Sequence, residues 1–297
     1  MAGKVIIVTG ANTGLGFLSA QILCREGHEV ILACRNEEKG KAAVERIIRE
    51  NQNAIATYMN LDVACFSSIR QFVDEFHKTG KKLDVLINNA GLLAADKTTK
   101  HYTVDNFELT IGTNHLGPFL LTNLLLGDLK SSGLLNSEAR VVVLTSMIHD
   151  PQKVKMFGVK SPLDPEDFFL DKKGSFDNMS AYRNSKVCNM LMTYQLARML
   201  QGSRVTVNCI HPGFIPKTEF MRGNSTAVRI LMQTLLTPFF KLFNFTRTPE
   251  EGAQAIVDLA TNDKWKGKRV DAMMANPSIF NSGKAVVYGL CPLMTIT

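Results

Sequence analysis

The segment SAYRNSKVCNM, residues 180–190, places a tyrosine and a lysine four residues apart. On a helix, Tyr182 and Lys186 would lie on the same face, one turn apart. A free tyrosine titrates near ~10 and is a poor base at neutral pH. A nearby positive charge favours the tyrosinate and lowers the pKa of the tyrosine, so the pair could exchange a proton with a substrate oxygen. A Tyr–Lys pair alone is more often part of an ordinary helix surface, so its meaning depends on the rest of the chain.

Strand-like and helix-like segments alternate along the whole chain. Compact apolar, β-branched runs predict strands at 4–10, 29–35, 55–63, 83–91, 140–146 and 204–213, and a weaker strand at 267–273. Helical spacing predicts helices at 14–26, 37–50, 66–78, 180–200 and 249–261, and a long helical region at 103–131. Such alternation indicates βαβ units. The sequence therefore predicts one α/β domain over 1–297, a Rossmann-type doubly wound parallel sheet with helices on both faces.

Composition and charge exclude several classes of protein. The 297 residues are 45% hydrophobic and 21% charged, which is ordinary for a globular protein. The net charge of +7 is spread along the chain without a nucleic-acid-binding motif, so we expect no nucleic-acid partner. The six cysteines show neither CxxC nor zinc-ligand spacing, so we expect no metal. Without a signal peptide or a long apolar window, we expect a cytoplasmic or peripherally membrane-associated protein that is not secreted.

A glycine-rich turn joins the first predicted strand to the first predicted helix. In TGANTGLG, residues 9–16, the glycines follow a GxxxGxG spacing. Glycines let the backbone approach a pyrophosphate closely, and the helix N-terminus offers unpaired N–H groups and the positive end of its dipole. We therefore expect this turn to bind a dinucleotide through Gly10, Asn12, Thr13, Gly14, Leu15 and Gly16.

The end of the second predicted strand indicates which dinucleotide binds. NAD sites usually place an acid there for the ribose hydroxyls. This chain instead has Arg35 and Asn36, and a guanidinium can bind a 2′-phosphate in a bidentate manner. The sequence therefore favours NADP(H), although Arg35 could instead pair only with Glu37 or Glu38. Asp62, at the end of the third strand, could bond the adenine amino group, cap a helix, or do both.

Six motifs in consistent order resemble the short-chain dehydrogenase/reductase family over nearly the whole chain. They are TGANTGLG (9–16), NNAG (88–91), TNHLGPFLLT (113–122), VVVLTS (141–146), YRNSK (182–186) and HPG (211–213). The resemblance implies a catalytic set of Asn114, Ser146, Tyr182 and Lys186. It also implies cofactor contacts beyond the glycine turn, at Val63, Asn89, Ala90, Gly91, Tyr182, Lys186, Pro212, Gly213, Ile215 and Thr218.

The resemblance gives each catalytic residue a role. Tyr182 would exchange a proton with the substrate oxygen, and Ser146 would hold that oxygen by a hydrogen bond. Lys186 would lower the pKa of Tyr182 and reach the nicotinamide ribose, while Asn114 could hold a water that connects Lys186 to solvent. Ser185, inside the YRNSK motif, is expected to pack rather than react. The histidines nearby are interpreted as structural or pocket-lining, namely His115, His149 and His211.

Two branches of the family look close to this chain. TGANTGLG, ACRNEEKG, GTNHLGPFLLTNLLL and EGAQAI resemble the retinol dehydrogenase-like enzymes, which act on retinoid and other lipophilic aldehydes and alcohols. AYRNSKVCNML and HPGFIPKTEF are similar to light-dependent protochlorophyllide reductase, which uses NADPH to reduce a ring double bond. That enzyme has a cysteine in the strand-four motif where this chain has Asn88, and the departure argues against photoreduction.

We therefore expect an NADP(H)-dependent oxidoreductase that interconverts a carbonyl and an alcohol on a lipophilic substrate. The alternatives are a double-bond reductase resembling the protochlorophyllide enzyme, and a nonenzymatic NADPH-binding sensor or scaffold. The apolar region 219–245 is expected to form a substrate lid and could also contact a membrane. The insertion at 147–179 is expected to form another wall of the entrance, and the family resemblance allows a homo-oligomer.

Overall fold

The computed structural model describes residues 3–136, 138–150, 154, 159, 163–172, 174–213, 215, 247–268 and 286–287. Within them the strands are β1 (Val5–Thr9), β2 (Glu29–Cys34), β3 (Ile55–Asn60), β4 (Val85–Asn88), β5 (Ala139–Leu144), β6 (Val205–His211) and β7 (Val286–Val287). They form one sheet in the order β3-β2-β1-β4-β5-β6-β7, in which β7 alone is antiparallel to its neighbour. This order confirms the predicted doubly wound sheet.

Helices cover both faces of the sheet. They are α1 (Gly14–Arg25), α2 (Glu37–Glu50), α3 (Phe66–Lys78), α4 (Leu109–Ile111), α5 (Gly117–Leu124), α6 (Leu126–Asn136), α7 (Asn178–Met199) and α8 (Pro249–Thr261), with a π-helical turn at Gly112–Leu116. Successive residues of β5 enter opposite cores: Val141 packs with the cluster that contains Phe72, and Val142 with the cluster that contains Ile256. The sheet is therefore buried on both faces, which accounts for its continuous apolar strands.

One predicted element begins later in the structure, and another lies mostly outside the described residues. In the helical region predicted at 103–131, the first residues form a turn closed by a bridge between Tyr102 and Glu108, and the helix begins only at Leu109. The Glu108 carboxylate accepts hydrogen bonds from the first helical N–H groups, which fixes that start. Of the strand predicted at 267–273, Gly267 lies in a turn and 269–273 lie outside the described residues. The short β7 at Val286–Val287 was not predicted.

The start of α8 brings the end of β6 next to the glycine turn. Thr248 and Glu251 form a reciprocal capping box, as the sequence Thr-Pro-Glu-Glu indicates. One turn later, a Cβ added at Gly252 would lie 2.5 Å from Ile215 Cδ1 and 3.1 Å from Leu15 Cδ2. Because Gly252 has no side chain, α8 can pack directly against both Ile215 and Leu15.

Of the two regions expected to shape the entrance, only the 147–179 insertion is described in part. The proposed lid at 219–245 and the cofactor residue Thr218 lie outside the described residues, as do parts of the 147–179 insertion. Among the helices of the described ranges, none combines the length and apolar character that crossing a membrane requires.

Candidate active site

The glycine turn is held in place by β4. Asn89 Nδ2 donates to the Thr9 carbonyl at 2.8 Å, and Thr9 Oγ1 accepts from the backbone N–H groups of Asn89 and Ala90 at 3.0 and 2.9 Å. A Cβ at Gly16 would lie 2.4 Å from Asn89 Nδ2, so only glycine fits at this position. Asn89 and Ala90 therefore support the turn, and Thr9 is a residue that the motif comparison did not single out.

The other face of the turn is an open cradle for a phosphate group. Gly10 and Gly14 have φ values of 65° and 57°, in the left-handed region that glycine adopts readily. A Cβ at Gly14 would meet no atom within 4 Å. Thr13 precedes α1 without a side-chain capping bond, and the first turn of α1 holds no acidic residue. The first-turn N–H groups thus suit a pyrophosphate, so the turn fits the dinucleotide expected there.

The adenosine end of the site contains an exposed ion pair. Arg35, at the end of β2, has a side chain that is 75% exposed, and its Nη1 lies 3.6 Å from Asp62 Oδ2. The partner of Arg35 is therefore Asp62 rather than Glu37 or Glu38. Asp62 Oδ1 also accepts from Ala64 N–H at 2.9 Å and so holds the turn before α3.

Asn36 and Val63 have structural contacts beside this ion pair. Asn36 Oδ1 accepts from Lys39 N–H at 2.8 Å and caps α2. The carbonyl of Val63 packs against Gly117, where an added Cβ would approach it to 1.8 Å. Both residues lie where the cofactor was expected, and each also fixes a neighbouring helix.

The π-turn before α5 places Asn114 under the loop that follows β4. Asn114 Oδ1 accepts from Leu92 N–H at 2.7 Å, and its Nδ2 donates to the Leu92 carbonyl at 2.8 Å and to Ser185 Oγ at 3.1 Å. The side-chain amide therefore braces the Leu92 backbone and Ser185, and the expected water role of Asn114 stays a prediction. A Cβ at Gly91 would lie 3.2 Å from Asn114 Oδ1 and 3.6 Å from Lys186 Nζ, so the bare glycine keeps a space between them.

Ser146 and Tyr182 meet at the carboxyl edge of the sheet. Ser146 follows β5 and opens a short 3-10 turn, while Tyr182 lies in the second turn of α7 and is 9% exposed. Burial raises the pKa of Tyr182 above its ordinary value, and a hydrogen bond with the Ser146 side chain partly offsets the rise. Tyr182 is therefore protonated at neutral pH in the free protein, as a proton donor requires.

Lys186 lies one helical turn after Tyr182 and is buried. Its Nζ donates to the Leu144 carbonyl at 3.2 Å and lies 5.4 Å from the centre of the Tyr182 ring. Burial lowers the pKa of Lys186 to about 8. The ammonium is therefore close enough to influence the tyrosine charge, and Leu144 occupies one of its three N–H donors. Ser185 donates to the Tyr182 carbonyl at 2.7 Å, which fits its expected packing role.

The segment after β6 packs against α8 beside the glycine turn. Gly213 N–H donates to His211 Nδ1 at 3.1 Å, and a Cβ on Gly213 would lie 2.8 Å from Arg247 Cδ. Pro212 and Ile215 both approach Gly252 on α8. Arg247 was missed by the motif comparison, because it lies outside every motif and reaches the site only through the packing of α8.

Part of the 147–179 insertion packs against the YRNSK turn. Asn184 Nδ2 donates to the Phe168 carbonyl at 2.7 Å, and Lys100 forms an ion pair with Asp171. Asn178, at the start of α7, donates to the Ala94 carbonyl at 2.7 Å. These contacts place residues 163–172 beside the helical turn that carries Tyr182.

Comparison with known proteins agrees with this geometry. The sequence model of the short chain dehydrogenase family matches residues 4–157. Human Retinol dehydrogenase 13 is 39% identical over 88% of this chain and 73% of its own length, and human Retinol dehydrogenase 14 is 36% identical over 90% and 76%. The crystal structure of a short chain dehydrogenase from Salmonella enterica serovar Typhi has a TM-score of 0.66 at 24% identity, covering 90% of this chain and 93% of that chain. The chain therefore belongs to the short-chain dehydrogenase family and is an oxidoreductase of its retinol dehydrogenase-like branch.

Proposed function

We propose that the protein is an NADP(H)-dependent oxidoreductase that interconverts a carbonyl and an alcohol on a lipophilic substrate. The observation that carries the proposal is the buried Ser146–Tyr182 hydrogen bond with the Lys186 ammonium beside the tyrosine ring. A nonenzymatic sensor would not need a proton donor and a cation in this arrangement. The family comparison also favours an enzyme over that alternative.

The chain's own residues would bind the substrate oxygen and move a proton. The glycine turn, Gly91 and Ile215 would hold NADP(H), which would supply or accept the hydride when bound. Ser146 would hold the carbonyl oxygen, and the Tyr182 hydroxyl would give its proton to that oxygen as the alcohol forms. In the reverse direction Tyr182 must accept the alcohol proton, so it must first ionise. The positive charge of Lys186 favours that ionisation.

The preference for NADP(H) rests on Arg35. Its exposed guanidinium is held at the end of β2 by Asp62, at a distance of 3.6 Å that leaves its donors available to a phosphate. Among the residues expected to meet the adenosine ribose, Arg35 carries the charge that an additional 2′-phosphate would need. Asp62 would then orient the guanidinium and could also accept from the adenine amino group.

The lipophilic substrate is supported by the relatives and by the sequence of the proposed lid. The relatives are named retinol dehydrogenases, and the apolar region 219–245 directly follows the segment after β6. The same region would form a peripheral membrane contact, where a lipophilic substrate could be taken up. A homo-oligomer is compatible with this proposal.

The first experiment measures turnover in the dark with NADPH and a panel of aldehydes, ketones and retinal. Tyr182→Phe is expected to lower the carbonyl reduction rate about a hundred- to ten-thousand-fold, because it removes the proton donor. Tyr194→Phe is the matched control, since Tyr194 is a buried tyrosine on the same helix, three turns further on. Unchanged turnover in Tyr182→Phe would show that the proposed proton donor is wrong.

Illumination separates the carbonyl reaction from double-bond reduction. Asn88, which replaces the cysteine of the photoreductase motif, is 3% exposed and donates to Thr122 Oγ1 at 2.8 Å inside the core. It therefore holds β4 to α5 and offers no reactive group. We expect turnover in the dark; reduction of a conjugated ring pigment only under light would overturn the carbonyl proposal.

The second experiment tests cofactor choice. Arg35→Ala should weaken NADPH binding about tenfold and leave NADH binding unchanged, since it removes charged hydrogen bonds to a 2′-phosphate. Arg25→Ala is the control, because Arg25 is also exposed and also lies near a carboxylate, 3.9 Å from Glu50. NADPH affinity that survives in Arg35→Ala, measured by cofactor fluorescence, would show that Arg35 does not select NADP(H).

A further inference from the structure

The backbone carbonyl of Leu144, at the carboxyl end of β5, accepts two hydrogen bonds from α7. Lys186 Nζ and Asn189 Nδ2 both donate to it, each at 3.2 Å. Both donors belong to buried residues, and they lie one turn apart on the helix. A carbonyl oxygen has two lone pairs, so these two donors use its whole accepting capacity. The Lys186 ammonium therefore shares its acceptor with Asn189.

Asn189 is itself oriented by a histidine. Asn189 Oδ1 lies 3.1 Å from His115 Nδ1, and Asn189 Nδ2 is committed to Leu144. Because the amide oxygen can only accept, His115 Nδ1 must carry the proton and donate it. His115 lies in the π-turn directly after Asn114, and its ring centre is 6.0 Å from that of Phe119. Burial lowers the pKa of His115, so the neutral tautomer that donates from Nδ1 fits this contact.

We propose that Asn189, held by His115, is a positioning residue for Lys186. This inference rests on the proposed role of Lys186 in binding the nicotinamide ribose and tuning Tyr182. By donating to the Leu144 carbonyl, Asn189 occupies one of the two lone pairs of its oxygen. This weakens the hydrogen bond between that oxygen and the Lys186 ammonium. Lys186 can then turn its remaining N–H donors toward the ribose hydroxyls. With Leu144 unshared, the ammonium would stay on the backbone carbonyl.

Among the residues that the structure describes, the groups around Lys186 leave few other causes for such an effect. On its own helix the titratable neighbour is Tyr182, and on the π-turn it is His115, which acts through Asn189. The loop after β4 presents Gly91 and the end of β5 presents the Leu144 backbone, neither of which titrates. The shared carbonyl is thus the feature that a change at Asn189 would alter.

The experiment compares wild type with Asn189→Leu, which keeps the side-chain size and removes the amide. NADPH affinity is measured by fluorescence, and kcat is measured across pH with a carbonyl substrate that wild type reduces. We expect NADPH affinity and kcat each to fall about tenfold, the usual scale for a lost charged hydrogen bond. The basic limb of the kcat profile should move to higher pH, because an unshared Leu144 carbonyl favours the charged form of Lys186.

Asn208→Leu is the matched structural control. Asn208 is a buried amide on β6 that donates to the Lys268 carbonyl at 3.0 Å, the same type of bond but without contact to Lys186. It should lower the melting temperature without moving the pH profile. His115→Leu should show part of the Asn189→Leu effect, and His115→Asn, which keeps a donor near the Nδ1 position, should restore part of what His115→Leu loses.

The outcomes separate this inference from the proposed function. The inference is wrong if Asn189→Leu only lowers thermal stability, as Asn208→Leu does, while NADPH affinity and the basic limb stay unchanged. If Asn189→Leu gives that result and Tyr182→Phe is inactive, the inference fails but the proposed function stands. An active Tyr182→Phe would overturn the proposed function instead, and the NADPH affinity of Asn189→Leu would still report on Lys186.

Discussion

Strand β5 has a buried cation at each end, and the two cations have very different surroundings. At the amino end, Arg140 donates from Nε and Nη2 to Glu138 Oε2 at 3.1 and 2.9 Å. Its Nη1 donates to the carbonyls of Leu259 and Asn262, at the end of α8, at 3.3 and 2.9 Å. All of these groups lie within the described residues, and together they accept from four of the five guanidinium N–H groups.

At the carboxyl end, Lys186 reaches β5 from α7 and has no carboxylate partner among the described residues. It shares the Leu144 carbonyl with Asn189, and burial alone lowers its pKa to about 8. A buried charge is stable when paired and costly when it is not. The amino end therefore holds the fold together, whereas the carboxyl end keeps a charge that can respond to a ligand, at the edge where doubly wound sheets bind their cofactors.

The largest effect is expected from Lys186→Met. The variant removes the charge that favours tyrosinate and the donor expected to reach the ribose, so kcat/KM for carbonyl reduction should fall about a thousandfold. Lys264→Met is the control, since Lys264 is exposed and pairs with Asp258 away from the site. Steady-state kinetics with NADPH measure both variants, and a Lys186→Met enzyme with near wild-type turnover would remove the distinction between the two ends of β5.

The next largest effect is expected at the amino end of β5. Arg140→Met should lower the free energy of unfolding by about 3–5 kcal/mol, because Glu138 would remain buried without its partner. Turnover per folded molecule should not change. Urea unfolding measures the loss, and adding Glu138→Leu to the variant should recover part of it. A loss below about 1 kcal/mol would mean that the pair contributes as little as an exposed one.

The sequence predicted more at the carboxyl end of β5 than at the amino end. Tyr182 and Lys186 lie on one helix, so their spacing alone places them on one face, and the family motifs supply their expected roles. Arg140 depends on the carbonyls of Leu259 and Asn262, which are 119 and 122 residues away in the chain. No local pattern encodes a contact of that kind, and the same holds for Asn189, whose bonds depend on where β5 ends.

The fold was predicted well where periodicity is strong and less well where tertiary contacts decide. The helix predicted at 37–50 is α2, because an amphipathic pattern and the Asn36 cap act locally. The helix predicted to begin near 103 begins at Leu109, since the polar segment TVDNFE folds into a turn that the bridge between Tyr102 and Glu108 closes. The strand β7, which pairs antiparallel with β6, was not predicted, because a two-residue strand gives too short a pattern to read.

The pH dependence of the free energy of unfolding should again distinguish the two ends of β5. The pKa of Lys186 is about 8 in the folded protein and 10.5 ordinarily, so between these values the unfolded chain binds more protons and the free energy of unfolding rises with pH. Below about pH 8 the buried charge opposes folding, and Lys186→Met should be about 3 kcal/mol more stable than wild type there. The difference in unfolding free energy between the variant and wild type should vanish above pH 10.5. The raised pKa of Tyr182 has the opposite effect on stability, but it is present in both proteins and cancels when their unfolding free energies are subtracted. A constant difference across pH would show that the charge of Lys186 is not the cause.

The smallest effect is expected from Glu138→Gln, which removes the charge and keeps one oxygen. Glu138 Oε1 accepts from Gly267 N–H at 2.8 Å while Oε2 accepts from Arg140, so glutamine can serve only one of these donors well. The free energy of unfolding should fall by about 1–2 kcal/mol, less than for Arg140→Met, because Arg140 keeps the two carbonyls of α8. Urea unfolding measures the loss, and NADPH turnover should stay at the wild-type level. If the loss equals that of Arg140→Met, then the charge pair rather than the hydrogen-bond network joins β5 to α8, and the amino end would depend on charge as much as the carboxyl end does.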